Sequence, residues 1–293
     1  MSTRATVLEA WANRAVAETV DGRLVAFHFP RRLERPLPGD EILLNERDEL
    51  DELLPRRNRF GRGDNRGQFR PIAANLDQTL IVIAAEPAPS PDLLHRYLAA
   101  SRICGIEPII VLNKTDLPTP SQAPFDELEG LIELGYSVIR TCCTHASGID
   151  GLAERLEGRT SLIAGQSGVG KTSLVNALIP ELDRQTGALS QVTGKGRHTT
   201  TSARLCHLPE DSGWLVDTPG VWEYGLWQMT PRELLRGFPE FLEASDGCRF
   251  RDCSHQHEPG CGVRAAVEAG VIPDFRYRAW LRLLDEQARL SRS

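Results

Sequence analysis

Short apolar-rich runs occupy residues 5–10, 14–18, 24–29 and 41–44, and Asp21-Gly22 and Pro36-Leu37-Pro38-Gly39 separate them. Several short strands divided by turn signals predict a small antiparallel all-β barrel over residues 1–70. The pattern changes at Thr79-Leu80-Ile81-Val82-Ile83. From there, continuous apolar runs (107–112, 136–140, 161–164, 213–216) alternate with stretches at helical spacing (91–104, 125–134, 173–179). That alternation predicts an α/β unit with a parallel sheet over residues 71–230. Beyond Pro231 the chain turns helical and cysteine-bearing, and it closes on an amphipathic stretch at 277–290. Residues 231–293 therefore read as a third, α-helical domain.

Composition changes this picture little. The chain has 293 residues, 41% hydrophobic and 25% charged, as ordinary globular chains do. No segment approaches the length of a membrane span and residues 1–20 lack an apolar signal core, so no membrane is expected and the cytoplasm is the expected location. A net charge of −6 argues against indiscriminate polyanion binding. The charge is unevenly spread, however. Arg56, Arg57, Arg59, Arg62, Arg66 and Arg70 crowd one segment with a single acid, Asp64, and Phe60 and Phe69 lie among them. Such a segment is either a nucleic-acid stripe with aromatic stacking platforms or a solvated linker.

The strongest chemical signal is Gly165-Gln166-Ser167-Gly168-Val169-Gly170-Lys171-Thr172, set between an apolar run and Ser173 at the head of a helical one. Strand, glycine-rich turn and helix form the context in which backbone N–H groups and a helix N-terminus converge on phosphate oxygens. Lys171 is expected at the β- and γ-phosphates as the catalytic cation, and the Thr172 hydroxyl at Mg²⁺. A second motif chooses the base. Asn113-Lys114-Thr115-Asp116 ends the run at 107–112. An ionised Asp116 offers two acceptors to the paired N1–H and N2–H donors of guanine, and adenine has no such pair. Asn113 can brace the loop and meet the base, and the Lys114 stem can cover the ring. GTP is the expected ligand.

Two further segments complete a GTPase site. Asp217-Thr218-Pro219-Gly220 follows the run at 213–216. Asp217 is expected to hold Mg²⁺ through water, and the Gly220 N–H to meet the γ-phosphate. Gly194-Lys195-Gly196-Arg197-His198-Thr199-Thr200-Thr201 is polar and glycine-flexible, suited to a switch in which Thr200 or Thr201 binds Mg²⁺. Val221 stands where Ras-like switches carry a water-orienting glutamine, and valine has no group for that task. His198 is the ionisable residue of the first switch that can serve catalytically. Thr141-Cys142-Cys143 sits where a second base-contacting loop is expected.

Cys248, Cys253 and Cys261, with His255 or His257, supply four N/S ligands within fourteen residues, the number a closed tetrahedral Zn²⁺ site requires. Spacing does not choose between the histidines. Three cysteines leave one odd for a disulfide, which favours metal.

The ordered set resembles the ribosome small subunit-dependent GTPase A (RsgA) family. It comprises the guanine motif ahead of the phosphate loop, Arg-His-Thr-Thr-Thr, Asp-Thr-Pro-Gly-Val, then Cys-x4-Cys-x-His-x5-Cys. Residues 70–77, Arg-Pro-Ile-Ala-Ala-Asn-Leu-Asp, also resemble that family. The resemblance implies an N-terminal OB-fold, a circularly permuted GTPase and a C-terminal zinc domain with one structural Zn²⁺. It places the ligands on Cys248, Cys253, His255 and Cys261. It also implies a monomer that binds GTP, GDP and the small ribosomal subunit with its rRNA, and subunit-stimulated hydrolysis in late maturation. The sequence departs from the family at Cys142-Cys143, where Ser-Ala is usual.

Overall fold

A computed structural model describes residues 2–30, 33–182, 184–185, 203–218 and 224–291. The N-terminal strands are β1 (Thr3–Trp11), β2 (Arg14–Thr19), β3 (Leu24–His28), β4 (Glu41–Leu44) and β5 (Leu50–Leu53). They pair antiparallel in the series β3-β2-β1-β4-β5. Their alternate side chains, among them Val7, Ala17, Phe27, Ile42 and Leu44, close over a core of their own.

The central strands are β8 (Gln78–Ala84), β9 (Glu107–Asn113), β10 (Ser137–Arg140), β11 (Thr160–Gly165), β12 (Arg204–His207) and β13 (Trp214–Asp217). All seven positions of β8 are buried, as expected of a strand covered on both faces. Helices α1 (Pro91–Ile103), α2 (Leu128–Glu133), α3 (Ile149–Leu156) and α4 (Lys171–Leu178) connect them. A proline at its first turn, Asp92 behind it and Arg102 in its last turn suit α1 to its direction. Strands β10, β9, β8, β11 and β13 run parallel in that order, with β12 antiparallel at the edge.

That edge is shared. β12 pairs with β1 through Glu9 and Arg204, so the described strands of the two regions form one continuous sheet. Arg204 Nη2 lies 3.0 Å from Glu9 Oε2 at the junction. Next to it His207 Nε2 lies 2.7 Å from Glu18, and Nδ1 lies 3.1 Å from Asp211. The Glu18 hydrogen bond raises the pKa of His207 above its ordinary 6.5. A raised folded-state pKa contributes stability that is full below the unfolded value and disappears as pH rises through the folded one. The melting temperature should therefore fall from about pH 6 to about pH 8, with His207→Gln flattening that slope in a thermal scan. An equal slope in the variant would show that other groups set it.

The arginine-rich segment forms a hairpin of β6 (Arg59–Gly63) and β7 (Phe69–Ala74), which the sequence pattern did not predict. Its charge is largely offset. Arg56 pairs with Asp40 and Glu34, Arg57 with Asp77, Arg59 with Glu34, and Arg70 with Asp64. Phe60 is 1% exposed and stacks on Tyr224, and Phe69 packs edge-on against Trp227 at 4.6 Å. Neither ring is a free stacking platform. Both serve to seat residues 224–228 along the hairpin, where Gly63 N–H donates to Gly225 O and Gln228 N–H to Gly67 O.

The C-terminal helices are α5 (Pro231–Leu235), α6 (Pro239–Ser245), α7 (Gly262–Glu268) and α8 (Asp274–Leu290). Thr230 and Glu233 form a capping box that fixes the start of α5. Their apolar faces do not form a separate centre. Phe238, Phe241 and Trp280 belong to the same buried cluster as Leu94, Tyr97 and Ile110 of the central region and Leu8, Val16 and Phe60 of the N-terminal one. A buried polar bridge adds to this. Arg276, 0% exposed, donates to Glu240 at 2.6 Å, to His95 Nδ1 at 2.9 Å and to the Tyr136 hydroxyl at 3.3 Å. His95 Nε2 in turn lies 2.9 Å from Glu127.

Candidate functional site

The carboxyl ends of the parallel strands bring the sequence motifs together, as open α/β sheets do. β11 leads into the phosphate loop and α4. Gly165 has φ 142 and Gly170 φ 96, a region that side chains disfavour. A Cβ on Gly170 would stand 2.3 Å from Asn113 Nδ2, so only glycine lets the two motifs touch. Val169 is buried with Leu80, Val82 and Leu174, while Gly168 and Gly170 carry the chain around the turn. Lys171 is 7% exposed, and its ammonium donates to Gly165 O at 2.9 Å and Gln166 O at 2.7 Å. Burial lowers its pKa, and Asp217 opposes that shift. At the end of β13, burial raises the Asp217 carboxyl, with Lys171 opposing. Lysine and aspartate thus face a common, partly desolvated space. Thr172 and Ser173 are exposed in the first turn of α4, and Ser167 stands in the loop before it.

β9 delivers the other motif. Asn113 is 2% exposed, and its Nδ2 donates to Val169 O at 2.9 Å while its Oδ1 accepts from the Thr141 hydroxyl at 3.0 Å. Lys114, at φ 58, donates to Gly168 O and Glu86 O, each at 2.8 Å. Two side chains of the base motif are therefore bonded to the backbone of the phosphate loop. The Thr115 hydroxyl donates to Thr141 O at 3.2 Å. Asp116 is exposed, and the Cys142 thiol donates to it at 3.2 Å. That bond is the first cause of its lowered pKa, which keeps the carboxylate ionised. Thr141 was not singled out as a brace; its position at the end of the β10 run was the available signal. His198, Thr200, Thr201, Gly220 and Val221 lie outside the described residues.

A second centre lies in the C-terminal region. The ligand atoms of Cys248, Cys253, His255 and Cys261 all lie within 4.8 Å of one another. His255 Nδ1 is 3.6 Å from Cys248 Sγ and 3.5 Å from Cys261 Sγ, and its Nε2 lies 3.4 Å from the Ser245 hydroxyl. The backbone at His255 adopts φ 61, which turns the ring inward, while His257 is exposed. Backbone N–H groups of Gly262 and Arg264 point at the sulfurs of Cys248 and Cys261, at 3.3 and 3.4 Å. Donors aimed at sulfur offset thiolate charge, and Tyr277 fixes the loop by donating to His255 O at 2.8 Å. Three thiols and an imidazole at this spacing could hold a tetrahedral metal ion, with Zn²⁺ the fitting choice.

Comparison with known proteins adds to this geometry. The family model described as RsgA GTPase matches residues 53–227. A relative named small ribosomal subunit biogenesis GTPase RsgA, from Bordetella pertussis, is 46% identical over 288 residues, 96% of this chain and 95% of the relative. The crystal structure of YjeQ from Thermotoga maritima superposes with a TM-score of 0.75 at 28% identity, covering 98% of this chain and 99% of that one. YloQ, described as a circularly permuted GTPase, gives a TM-score of 0.74 at 26% identity, covering 99% of this chain and 96% of that one. A strand-rich N-terminal region, a permuted α/β region and a cysteine–histidine cluster in this order are the architecture expected from the sequence. The chain belongs to the RsgA GTPase family.

Proposed function

We propose that this chain is a GTP hydrolase that binds the small ribosomal subunit and acts in its late maturation, with hydrolysis stimulated by that subunit. The observation that carries the GTP reading is the pair of bonds from Asn113 to Val169 O and from Lys114 to Gly168 O. They hold the loop expected to read guanine directly against the loop expected to bind phosphates, so one nucleotide could meet both. The relatives' printed names support the ribosomal role.

In this reading Asp116 accepts from guanine, and Gly165, Gln166, Ser167, Gly168, Val169 and Gly170 present their N–H groups to the phosphates. Lys171 leaves its loop carbonyls for the β- and γ-oxygens, where its charge offsets what develops in phosphoryl transfer. Thr172, Thr200 or Thr201 and, through water, Asp217 would hold Mg²⁺, which would supply further neutralisation of that charge. Gly220 meets the γ-phosphate, and His198 is assigned to positioning water because Val221 cannot. The metal set Cys248, Cys253, His255 and Cys261 takes one structural Zn²⁺. Residues 1–70, 71–230 and 231–293 are assigned to OB-fold, permuted GTPase and zinc domain. A cytoplasmic monomer that contacts rRNA completes the proposal; among the described residues no helix is long and apolar enough to cross a membrane.

The test is GTP turnover with and without purified small subunits, with ATP as competitor. Stimulation by the subunit is expected, together with tighter subunit binding in the presence of a non-hydrolysable GTP analogue than with GDP. Turnover indifferent to the subunit would remove the ribosomal part of the reading.

A further inference from the structure

Beside the base-reading loop, the chain brings together another set of metal-ligating groups. After β10 the chain reverses through a bridge between Cys142 and Ser147, with Ala146 at φ 50. The reversal turns His145 back onto Cys142. Cys142 Sγ lies 3.2 Å from Asp116 Oδ1 and 3.4 Å from His145 Nδ1, and the three ligand atoms all lie within 4.8 Å of one another. Zinc bonds of about 2.3 Å to sulfur and about 2.0 Å to nitrogen or oxygen, at tetrahedral angles, put ligand atoms roughly 3.5 Å apart. The two spacings from Cys142 need little adjustment to meet that. Cys142 is 3% exposed and forms the floor, while Asp116 and His145 are exposed, which leaves the approach from solvent open. One thiolate, one imidazole and one carboxylate leave a fourth position for water.

We propose that Asp116, Cys142 and His145 form a second Zn²⁺ site, and that the ion and the guanine base exclude each other. This rests on the reading of Asp116 as the guanine acceptor, because metal and base then need the same carboxylate. On binding, the Cys142 thiol gives its proton to solvent and the sulfur takes the metal in place of the hydrogen bond to Asp116. Exclusion is reciprocal: guanine nucleotide loosens the ion by the factor with which the ion loosens guanine nucleotide. The chain is thereby a GTPase that excess zinc holds empty.

The test counts metal. Nucleotide-free protein equilibrated with Zn²⁺ is expected to hold two ions per chain by elemental analysis, and saturating GDP to reduce that to one. ADP carries the same diphosphate as GDP and chelates zinc equally, so its failure to displace the ion at equal concentration isolates the effect of the base. Cys142→Ser and His145→Ala should each hold one ion, and His145→Ala should keep the metal-free affinity for GDP. One ion in the nucleotide-free wild type, or two in both variants, would overturn the site. Two ions that persist while GDP is bound would overturn the exclusion. If ADP displaces the ion as well as GDP does, the guanine reading of Asp116 fails and the exclusion with it, while the metal count still upholds the site.

Discussion

Changing Asp116 to alanine is expected to lower the preference for GTP over ATP by a factor on the order of 10⁴. The guanine N1–H and N2–H would lose both acceptors of the carboxylate that pairs with them, and an analogue without those donors would no longer be at a disadvantage. The surrounding loop should survive. Asn113 and Lys114 keep their bonds to Val169 O and Gly168 O, and Asp116 itself is exposed. Phosphate contacts do not depend on the base, so ATP should compete nearly as well as GTP for the variant. Displacement of a fluorescent GDP analogue by each nucleotide, in wild type and variant, reads this directly. Unchanged selectivity would mean that another group reads the base.

Loss of the C-terminal metal should have the second large effect. Zn²⁺ binding contributes about 10–16 kcal/mol to small structural sites, against about 5–15 kcal/mol for the whole stability of a typical domain. Cys253→Ala removes one of four ligands and leaves two thiols and a ring facing one another without an ion. The loop they organise carries His255 O and Ser254 O, which accept from Tyr277 and Trp280 of α8. Metal loss should therefore release the loop and strip α8 of those anchors, seen as early proteolysis near residue 250 and a sharply lower melting temperature. In GDP-saturated protein, His255→Ala should lose the ion and His257→Ala keep it. The opposite result would make His257 the ligand.

Much of the site was legible because its geometry is local. A strand, a glycine-rich turn and a helix determine where Lys171 and Thr172 must be, and a buried run ending in Asn113 determines the edge it occupies. What joins the two loops was not legible, because the acceptors are backbone carbonyls, which every residue has. The segment at 56–70 was misleading for a related reason. Its arginines look unpaired in sequence, yet Glu34, Asp40 and Asp77 reach them from loops outside the segment. Phe60 looks like a platform until Tyr224 covers it from across the chain. Nor could an amphipathic pattern announce Arg276, since a buried guanidinium is tolerated only where distant residues surround it with acceptors.

The single buried cluster running through all three regions has a consequence for how this chain can be cut or recombined. Phe238, Trp280, Leu94 and Phe60 share one interior, and Arg276 reaches His95 and Tyr136 as well as Glu240 of its own region. The last sixty residues are not a detachable cassette. Excised, they would bare an aromatic face and leave Arg276 with Glu240 but without His95 and Tyr136; grafted onto another GTPase, they would find neither of those two waiting. Homologous exchange between family members should succeed only when α1 and the segment before β10 that carries Tyr136 travel with the cysteine loop, so these pieces are expected to be inherited as one block.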